Sequence, residues 1–94
     1  MRILGKKKLV QFMERHPRSA SSLRSWVQVV ETSQWKTPAD IKNTFASASF
    51  LSDNRVIFNL GGNKFRLLVL AIYVQGSVII SWLGTHAEYD KMNF

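Results

Sequence analysis

The feature of this sequence that most restricts its fold is a pair of strand-like segments joined by the turn Gly61-Gly62-Asn63. In the first segment, residues 55–60, apolar side chains alternate, so that Val56, Phe58 and Leu60 share one face. The second segment, residues 64–73, is long and almost entirely apolar after its first cations. Glycine and asparagine tolerate the positive φ angles that tight hairpin turns require. The pattern predicts an antiparallel β-hairpin around which the other elements must pack.

Shorter segments with strand character lie on both sides of this hairpin. Ile3 and Leu4 are expected to form a short edge strand that ends at Gly5. Residues 49–51 form a second short strand, followed by a turn over residues 52–54. After another turn at residues 75–77, residues 78–83 form the last strong strand, which we expect to break at Gly84. These segments predict an antiparallel sheet of three to four strands.

The first half of the chain is predicted to be helical. Residues 6–15 place Leu9, Phe12 and Met13 at i, i+3 and i+4, and Pro17 then ends this helix. A second helix shows an apolar stripe at helical spacing and is preceded by serines that are candidate N-caps. The residues of the stripe are Leu23, Trp26, Val27 and Val30, and the serines are Ser19, Ser21 and Ser22.

A third, short helix is predicted from Pro38 to about Phe45. Thr37 is suited to cap it, Pro38 fits the first helical position, and Asp40 lies at the third position, where its charge suits the helix N-terminus. Helices therefore come first and strands second. The 94 residues fit a single domain, residues 1–94, with an α+β fold in which N-terminal helices pack on one face of a twisted antiparallel sheet.

The charge of the chain favours an anionic partner. Lys and Arg number 13 against 6 Asp and Glu, a net charge of +7. Nucleic acid, an acidic protein or a membrane surface would fit this charge, and so would simple solubility. No apolar run approaches the ~20 residues of a membrane helix and no signal peptide is visible, so we expect a cytoplasmic protein without membrane contact. The chain has no cysteine, and its two histidines lack metal-ligand spacing, so no cofactor or metal is expected.

The start of the longer hairpin strand carries two cations, Lys64 and Arg66, on one face. Across the hairpin, Arg55 and Asn59 also share a face, and Asn63 lies in the turn between the strands. If the register brings these groups together, they form a basic, hydrogen-bonding patch that can hold a phosphate, with arginine binding in a bidentate manner. The alternative is that Lys64 and Arg66 are solvated residues at the rim of the sheet.

The C-terminal segment, residues 84–91, concentrates groups that transfer protons: His86, Glu88, Tyr89 and Asp90. Imidazole ordinarily titrates near pH ~6.5 and serves as acid or base at neutral pH. RNA cleavage by its own 2′-hydroxyl needs a base, cations that stabilise the phosphorane, and an acid for the leaving oxygen. This segment and the cations supply all three without a metal. The alternative is a polar turn in which Tyr89 packs and His86 ends the strand.

Several segments resemble the HigB branch of the RelE/ParE toxin superfamily. Residues 54–67, NRVIFNLGGNKFRL, are similar to the sheet signature of HigB toxins, and residues 84–90, GTHAEYD, to their C-terminal signature. Residues 14–17, ERHP, and residues 35–42, WKTPADIK, also fit. The similarity runs from about residue 2 to residue 90.

This resemblance implies a RelE-like fold and a metal-independent mRNA endoribonuclease, an mRNA interferase that often acts on translating ribosomes. The implied partners are mRNA, the ribosome and a cognate HigA-type antitoxin with a helix-turn-helix. Matched by motif, the catalytic roles fall on Arg66, His86 and Tyr89, with Glu88 and Asp90 orienting His86 or acting as base. The resemblance adds Lys64 as a further phosphate contact. Together with the hairpin pattern, the expected RNA contacts are Lys64, Arg55, Asn59 and Asn63.

Two other functions remain open from the sequence. ParE-type relatives share the scaffold but act on DNA gyrase, so the fold alone does not establish a nuclease. A protein that binds RNA and leaves it uncut would carry the same positive charge, and its binding would depend steeply on salt. The proton-transfer groups of residues 84–91 favour cleavage over both alternatives, because a pure inhibitor or binder does not need them.

Overall fold

The computed structural model describes all residues, 1–94, as four α-helices and five strands. In chain order these are β1 (Arg2–Leu4), α1 (Lys6–Arg15), α2 (Ala20–Thr32), α3 (Pro38–Thr44), β2 (Ser49–Phe50), β3 (Arg55–Leu60), β4 (Phe65–Ile72), β5 (Ser77–Thr85) and α4 (His86–Asp90). The predicted α+β class is confirmed. None of the helices combines the length and the apolar character that crossing a membrane would require.

The five strands form one mixed sheet in the order β1-β5-β4-β3-β2. The neighbours β2–β3, β3–β4 and β4–β5 are antiparallel, whereas β1 lies parallel to β5 at one edge. The sheet therefore has five strands and one parallel pair, where three to four antiparallel strands were predicted. A strand of three residues carries too little pattern to indicate its partner or direction. The long strand β4 lies in the middle of the sheet.

The hairpin of β3 and β4 has the predicted boundaries to within one residue. Leu60 pairs with Phe65, and the connecting turn contains Gly61, Gly62 and Asn63 at φ angles of 60°, 62° and 71°. Three successive positive φ angles are unfavourable for most side chains, which explains why glycine and asparagine occupy this turn. Lys64 belongs to the turn rather than to β4.

The helices α1, α2 and α3 cover one face of the sheet, and the core lies between them. Phe58 is at its centre, with ring centroids at 5.4 Å from Trp26, 6.2 Å from Trp35 and 5.1 Å from Phe45. Trp26, from the predicted apolar stripe of α2, is buried in the core, and Trp35 is buried as well. The buried strand residues of this core are Ile3, Val56, Phe58, Leu60, Phe65, Leu67, Val69, Ala71, Val78 and Ile80.

The N-terminus of α3 is capped by the side chain that the sequence predicts, whereas the N-terminus of α2 has no side-chain cap. The Thr37 Oγ1 accepts the Asp40 N–H, as the predicted cap, and the Asp40 carboxylate accepts the N–H groups of Lys36 and Thr37, which completes a capping box. These hydrogen bonds hold the pKa of Asp40 below its usual value. At α2, the Ser19 hydroxyl donates to the His16 carbonyl at 2.7 Å and caps no N–H group. Ser19, one of the serines predicted for this role, thus occupies the N-cap position without a side-chain cap, because a 3-10 turn over Pro17–Ser19 leads directly into α2.

Gly84 does not end the last strand, as had been predicted. β5 continues through Gly84 to Thr85, and Gly84 pairs across the sheet with Arg66. The residue is buried, and its missing side chain leaves room for a neighbouring ring rather than for a turn.

The central position of Phe58 predicts a large loss of stability when its ring is removed. Phe58→Ala leaves a cavity among three aromatic rings, and we expect the free energy of unfolding to fall by ~3–5 kcal/mol in urea denaturation. Phe50→Ala is the matched control, because Phe50 lies on edge strand β2 with 40% of its surface exposed; its effect should be below about 1 kcal/mol. Equal losses for the two variants would contradict this description of the core.

Candidate active site on the open face of the sheet

The face of the sheet opposite the helices carries the predicted site. Cross-strand partners lie on the same face, so the register places Asn59, Arg66 and Gly84 in one row across β3, β4 and β5. The adjacent row consists of Ile57, Leu68 and Trp82. A polar row therefore crosses the hairpin end of the sheet next to an apolar one.

Arg66 is half-buried in the middle of the polar row. Its Nη1 donates to the carbonyls of Asn63 at 2.9 Å and Phe65 at 3.3 Å, and its Cζ lies 5.6 Å from the centroid of the Tyr89 ring. The ion pairs of the structure are Lys6–Glu31 and His86–Asp90, so no carboxylate neutralises Arg66. The guanidinium is oriented by the turn and by an aromatic ring, and its charge is free to bind an anion.

The C-terminal segment forms a short helix, α4, that begins directly after β5. The Glu88 carboxylate accepts the Thr85 N–H at 2.8 Å, and the Thr85 hydroxyl accepts the Glu88 N–H at 3.2 Å, which completes a capping box. The polar turn considered from the sequence is thus a capped helix. Its signal, Thr85-His86-Ala87-Glu88, is present in the sequence but was missed, because five helical residues are too few to show a period.

The hydrogen bond from the Thr85 N–H lowers the pKa of the Glu88 carboxyl below its ordinary value, against a smaller opposing effect of burial. The nearby positive charges of His16 and Arg15, at the end of α1, lower it further. These two residues were not predicted to lie near the site. Glu88 therefore stays ionised over a wide pH range and is held at the N-terminus of α4, where a negative charge is favourable.

His86 opens α4 and lies next to the hairpin turn. Its backbone N–H donates to the Lys64 carbonyl at 2.9 Å, which ties the helix to the residue that begins the predicted basic patch. Its Nε2 lies 3.6 Å from the Asp90 Oδ2, one helical turn away. Both side chains are more than half exposed. An imidazole and a carboxylate are thus paired at the surface within reach of solvent.

The other predicted RNA contacts divide into two groups. Asn59 lies in the same row as Arg66, although its amide donates to the Ser47 carbonyl at 3.2 Å. Asn63 and Lys64 lie exposed in the turn that leads to Arg66. Arg55, in contrast, begins β3, four residues from Asn59, about 13 Å along the strand. Its guanidinium donates to the Ser52 carbonyl and hydroxyl, so the sheet does not bring Arg55 to the patch.

Three aromatic rings border the polar row. Trp82 lies 6.4 Å from Tyr89 and 5.4 Å from Phe94, and Tyr89 and Phe94 are stacked at 5.7 Å with 29° between their planes. The Trp82 indole lies over Gly84, because a Cβ built on Gly84 would be only 2.3 Å and 2.4 Å from two of its ring carbons. Only glycine leaves room for this ring beside Arg66.

The site is an open surface rather than a cavity. The concave regions of the protein lie elsewhere: a depression of about 320 Å³ near Met1 and Tyr73, and two shallow grooves of about 220 and 390 Å³ along α1 and α2. A flat, charged surface suits a polymer with a regular backbone better than it suits a small molecule. No three or more histidine, aspartate or glutamate side chains are grouped so as to hold a metal ion.

Residues 19–92 match the model of the HigB toxin family, which is described as the RelE-like toxic component of a toxin-antitoxin system. The chain is similar to the mRNA interferase HigB of Escherichia coli O6:H1, with 26% identity over 94 residues, 98% of this chain and 91% of the relative. It is also 26% identical over 92 residues to the mRNA interferase toxin HigB of Escherichia coli K12 and to the mRNA interferase HigB of Shigella flexneri. Each of these two alignments covers 96% of this chain and 88% of the relative.

The contact between Gly84 and Trp82 predicts that their substitutions are coupled. Gly84→Ala forces the indole from its place and should destabilise the protein by ~1–3 kcal/mol, the usual cost of overpacking. In Trp82→Leu the added methyl group has space, so the same Gly84→Ala change should cost clearly less. Urea denaturation of the four proteins measures the coupling. Additive effects would contradict the placement of the indole over Gly84.

The lowered pKa of Glu88 predicts how α4 responds to acid. A carboxyl whose pKa is lower in the folded state stabilises the fold above its unfolded value, and this contribution is lost as the pH falls through the folded value. We therefore expect the NMR shift of the Thr85 amide to titrate with a midpoint below 4.5, the ordinary value of Glu88. Glu88→Gln should abolish this titration. A Thr85 midpoint at or above 4.5 would argue against the capping box.

Proposed function

Because the chain belongs to the HigB toxin family, the RelE-like toxic components of toxin-antitoxin systems, we propose that it is an endoribonuclease that cleaves mRNA without a metal ion. The observation that best supports this activity is the juxtaposition at one end of the sheet. There the unneutralised guanidinium of Arg66 lies in contact with Tyr89 of α4, the helix that carries the paired His86 and Asp90. Relatives that align over almost their whole length are named mRNA interferases.

The proposed reaction uses the 2′-hydroxyl of the RNA as the nucleophile. A base removes the proton of this hydroxyl, O2′ bonds to the neighbouring phosphorus, and the P–O5′ bond breaks with its electron pair going to O5′. An acid then protonates O5′. The products are a 2′,3′-cyclic phosphate and a 5′-hydroxyl end. No atom of the protein or of a metal enters a covalent bond.

Arg66 has the role of stabilising the negative charge that gathers on the phosphorane. Its guanidinium offers five N–H groups in a plane, and the Nε–H and both Nη2–H groups remain for the phosphate after the bonds that Nη1 makes to backbone carbonyls. Lys64, in the adjoining turn, adds a second positive charge. Electrostatic stabilisation by oriented cations commonly lowers the barrier more than any other single effect in this kind of catalysis.

His86 has the role of general acid or base. The Asp90 Oδ2 lies 3.6 Å from its Nε2 and orients the ring. Asp90 is thus a partner of His86, as expected from the sequence. Tyr89 contacts the guanidinium of Arg66 and holds it toward the surface. The Glu88 carboxylate is held in the capping box with a lowered pKa, which makes it a weak base, so its proposed role is to position α4.

The partners that we propose are inferred from membership of the HigB toxin family. The toxin is neutralised by a cognate antitoxin of the HigA type with a helix-turn-helix, which covers part of the basic surface. Cleavage takes place in the cytoplasm on mRNA that is being translated, where the ribosome presents the strand. Asn59 and Asn63 flank Arg66 and bind the RNA backbone, whereas Arg55 is too distant to take part.

Two substitutions test the proposed activity directly. Arg66→Ala and His86→Ala should each lower kcat/KM for RNA cleavage by ~10²-fold or more, because each removes a group needed in the transition state. Arg55→Ala is the matched control, an arginine on the same face whose bonds lie at the other end of β3, and it should leave cleavage nearly unchanged. Purified protein is assayed on naked RNA and on ribosome-bound mRNA, with antitoxin binding and circular dichroism as checks on folding.

Two outcomes would overturn the proposal. Growth inhibition that persists in the Arg66→Ala, His86→Ala double variant would show that toxicity does not need these groups. Wild-type protein that binds RNA with steep salt dependence but leaves it intact would make the chain an RNA-binding protein without nuclease activity.

A further inference from the structure

Phe94 occupies a position that is unusual for a residue outside the main core. Its ring stacks on Tyr89 and meets Trp82 edge to face, and all three rings are half-buried. Tyr89 also contacts the guanidinium of Arg66. An aromatic cluster therefore begins at the group that is proposed to hold the scissile phosphate.

The three rings are attached to the protein in different ways. Trp82 belongs to strand β5 and its indole lies over Gly84. Tyr89 belongs to α4, which the capping box of Thr85 and Glu88 and the bond from His86 to Lys64 hold in place. Phe94 follows α4, and neither its backbone nor that of Asn93 makes a hydrogen bond to the rest of the chain. Trp82 and Tyr89 thus belong to hydrogen-bonded elements, whereas Phe94 has ring contacts but no backbone hydrogen bond.

Nucleobases stack on exposed aromatic rings in proteins that bind single-stranded nucleic acid, often beside a cation that binds the backbone. The Arg66 Cζ lies 5.6 Å from the Tyr89 centroid, so the cation and the ring are close enough to contact the phosphate and the base of one bound strand. A strand whose phosphate binds Arg66 thus brings a base to the rings of Trp82 and Tyr89. Phe94 already fills the stacking position on Tyr89.

We propose that Trp82 and Tyr89 form a stacking subsite for the nucleobase next to the scissile phosphate, and that Phe94 fills this subsite in the free protein. The base takes the place of Phe94 when RNA binds. This inference rests on the proposed function, since it names a part of the same site. It assigns Trp82 to substrate binding and makes Phe94 an internal competitor of the substrate.

Competition by Phe94 lowers the apparent affinity for RNA by the fraction of molecules in which the subsite is open. Removing the ring therefore strengthens binding. From the usual strength of an aromatic pair, Phe94→Ala should bind a single-stranded oligonucleotide about two- to tenfold more tightly than the wild type. Trp82→Leu removes part of the platform and should bind it more weakly.

The experiment measures the dissociation constant of a mixed-sequence decanucleotide with 2′-deoxy sugars, which the proposed mechanism cannot cleave. A strand of equal length and charge that lacks bases is the second probe. Phe94→Ala should bind the complete strand more tightly and the abasic strand no differently. Phe50→Ala, which removes an exposed phenylalanine from edge strand β2, is the control variant and should match the wild type on both probes. Near-UV circular dichroism checks the fold of each variant.

The outcomes separate this inference from the proposed function. Unchanged or weaker binding of the complete strand by Phe94→Ala, in a protein that cleaves RNA, overturns the subsite and leaves the nuclease standing. Tighter binding of both strands shows that Phe94 blocks the phosphate site and also overturns the stacking subsite. If the wild type neither binds the strand nor cleaves RNA, the proposed function fails, and the subsite fails with it.

Discussion

The register of the β3–β4 hairpin is the constraint on which the rest of this structure depends. The pairing of Leu60 with Phe65 across a turn of three positive-φ residues puts Phe58 toward the helices and Arg66 toward the open face. A slip by one residue would exchange the two faces and bury a guanidinium among aromatic rings. The cost of burying that unpaired charge and of exposing the core excludes a register shifted by one residue. One turn therefore determines both the core and the position of the cation at the proposed site.

The second requirement is that α4 stays beside Arg66, although five residues are too few for a stable isolated helix. Local hydrogen bonds meet this requirement: the capping box of Thr85 and Glu88, and the bond from the His86 N–H to the Lys64 carbonyl. Gly84 also contributes, because the absence of a side chain there leaves space for the Trp82 indole. The proton-transfer groups are thus fixed by backbone contacts, and the side chains of His86 and Asp90 remain exposed for a substrate.

The sequence was informative where the pattern was long. α1 and β3 have the predicted boundaries, and Thr37 caps α3 as expected. It was less informative where an element is short or a contact is distant. The edge strand expected at Ile3 and Leu4 is present as β1, but its three residues did not indicate a parallel partner, and the five residues of α4 show no period. The proximity of His16 to Glu88 and the stacking of Phe94 join distant elements or depend on ring orientation, which no spacing along the chain reveals.

The site residues were also predicted correctly in part only. Arg66, Lys64, His86 and Tyr89 were picked out from residue type and motif, and the structure brings them to one end of the sheet. Arg55 was included because alternation places it on the same face as Asn59. Alternation shows which face of the sheet a residue lies on, but not how far along the strand it lies from Arg66. The hydrogen bonds of Arg55 to Ser52 could not be predicted from the sequence either.

Cleavage of mRNA by this surface can be tested in bacteria by mapping mRNA 5′ ends after brief induction of the chain and of its His86→Ala variant. We predict new 5′-hydroxyl ends inside open reading frames with the wild type and none with the variant. A constant phase of these ends relative to codons would point to cleavage on the ribosome. Growth arrest with intact mRNA would contradict the claim and would favour an inhibitor that acts by binding another protein, with DNA supercoiling as the next quantity to examine.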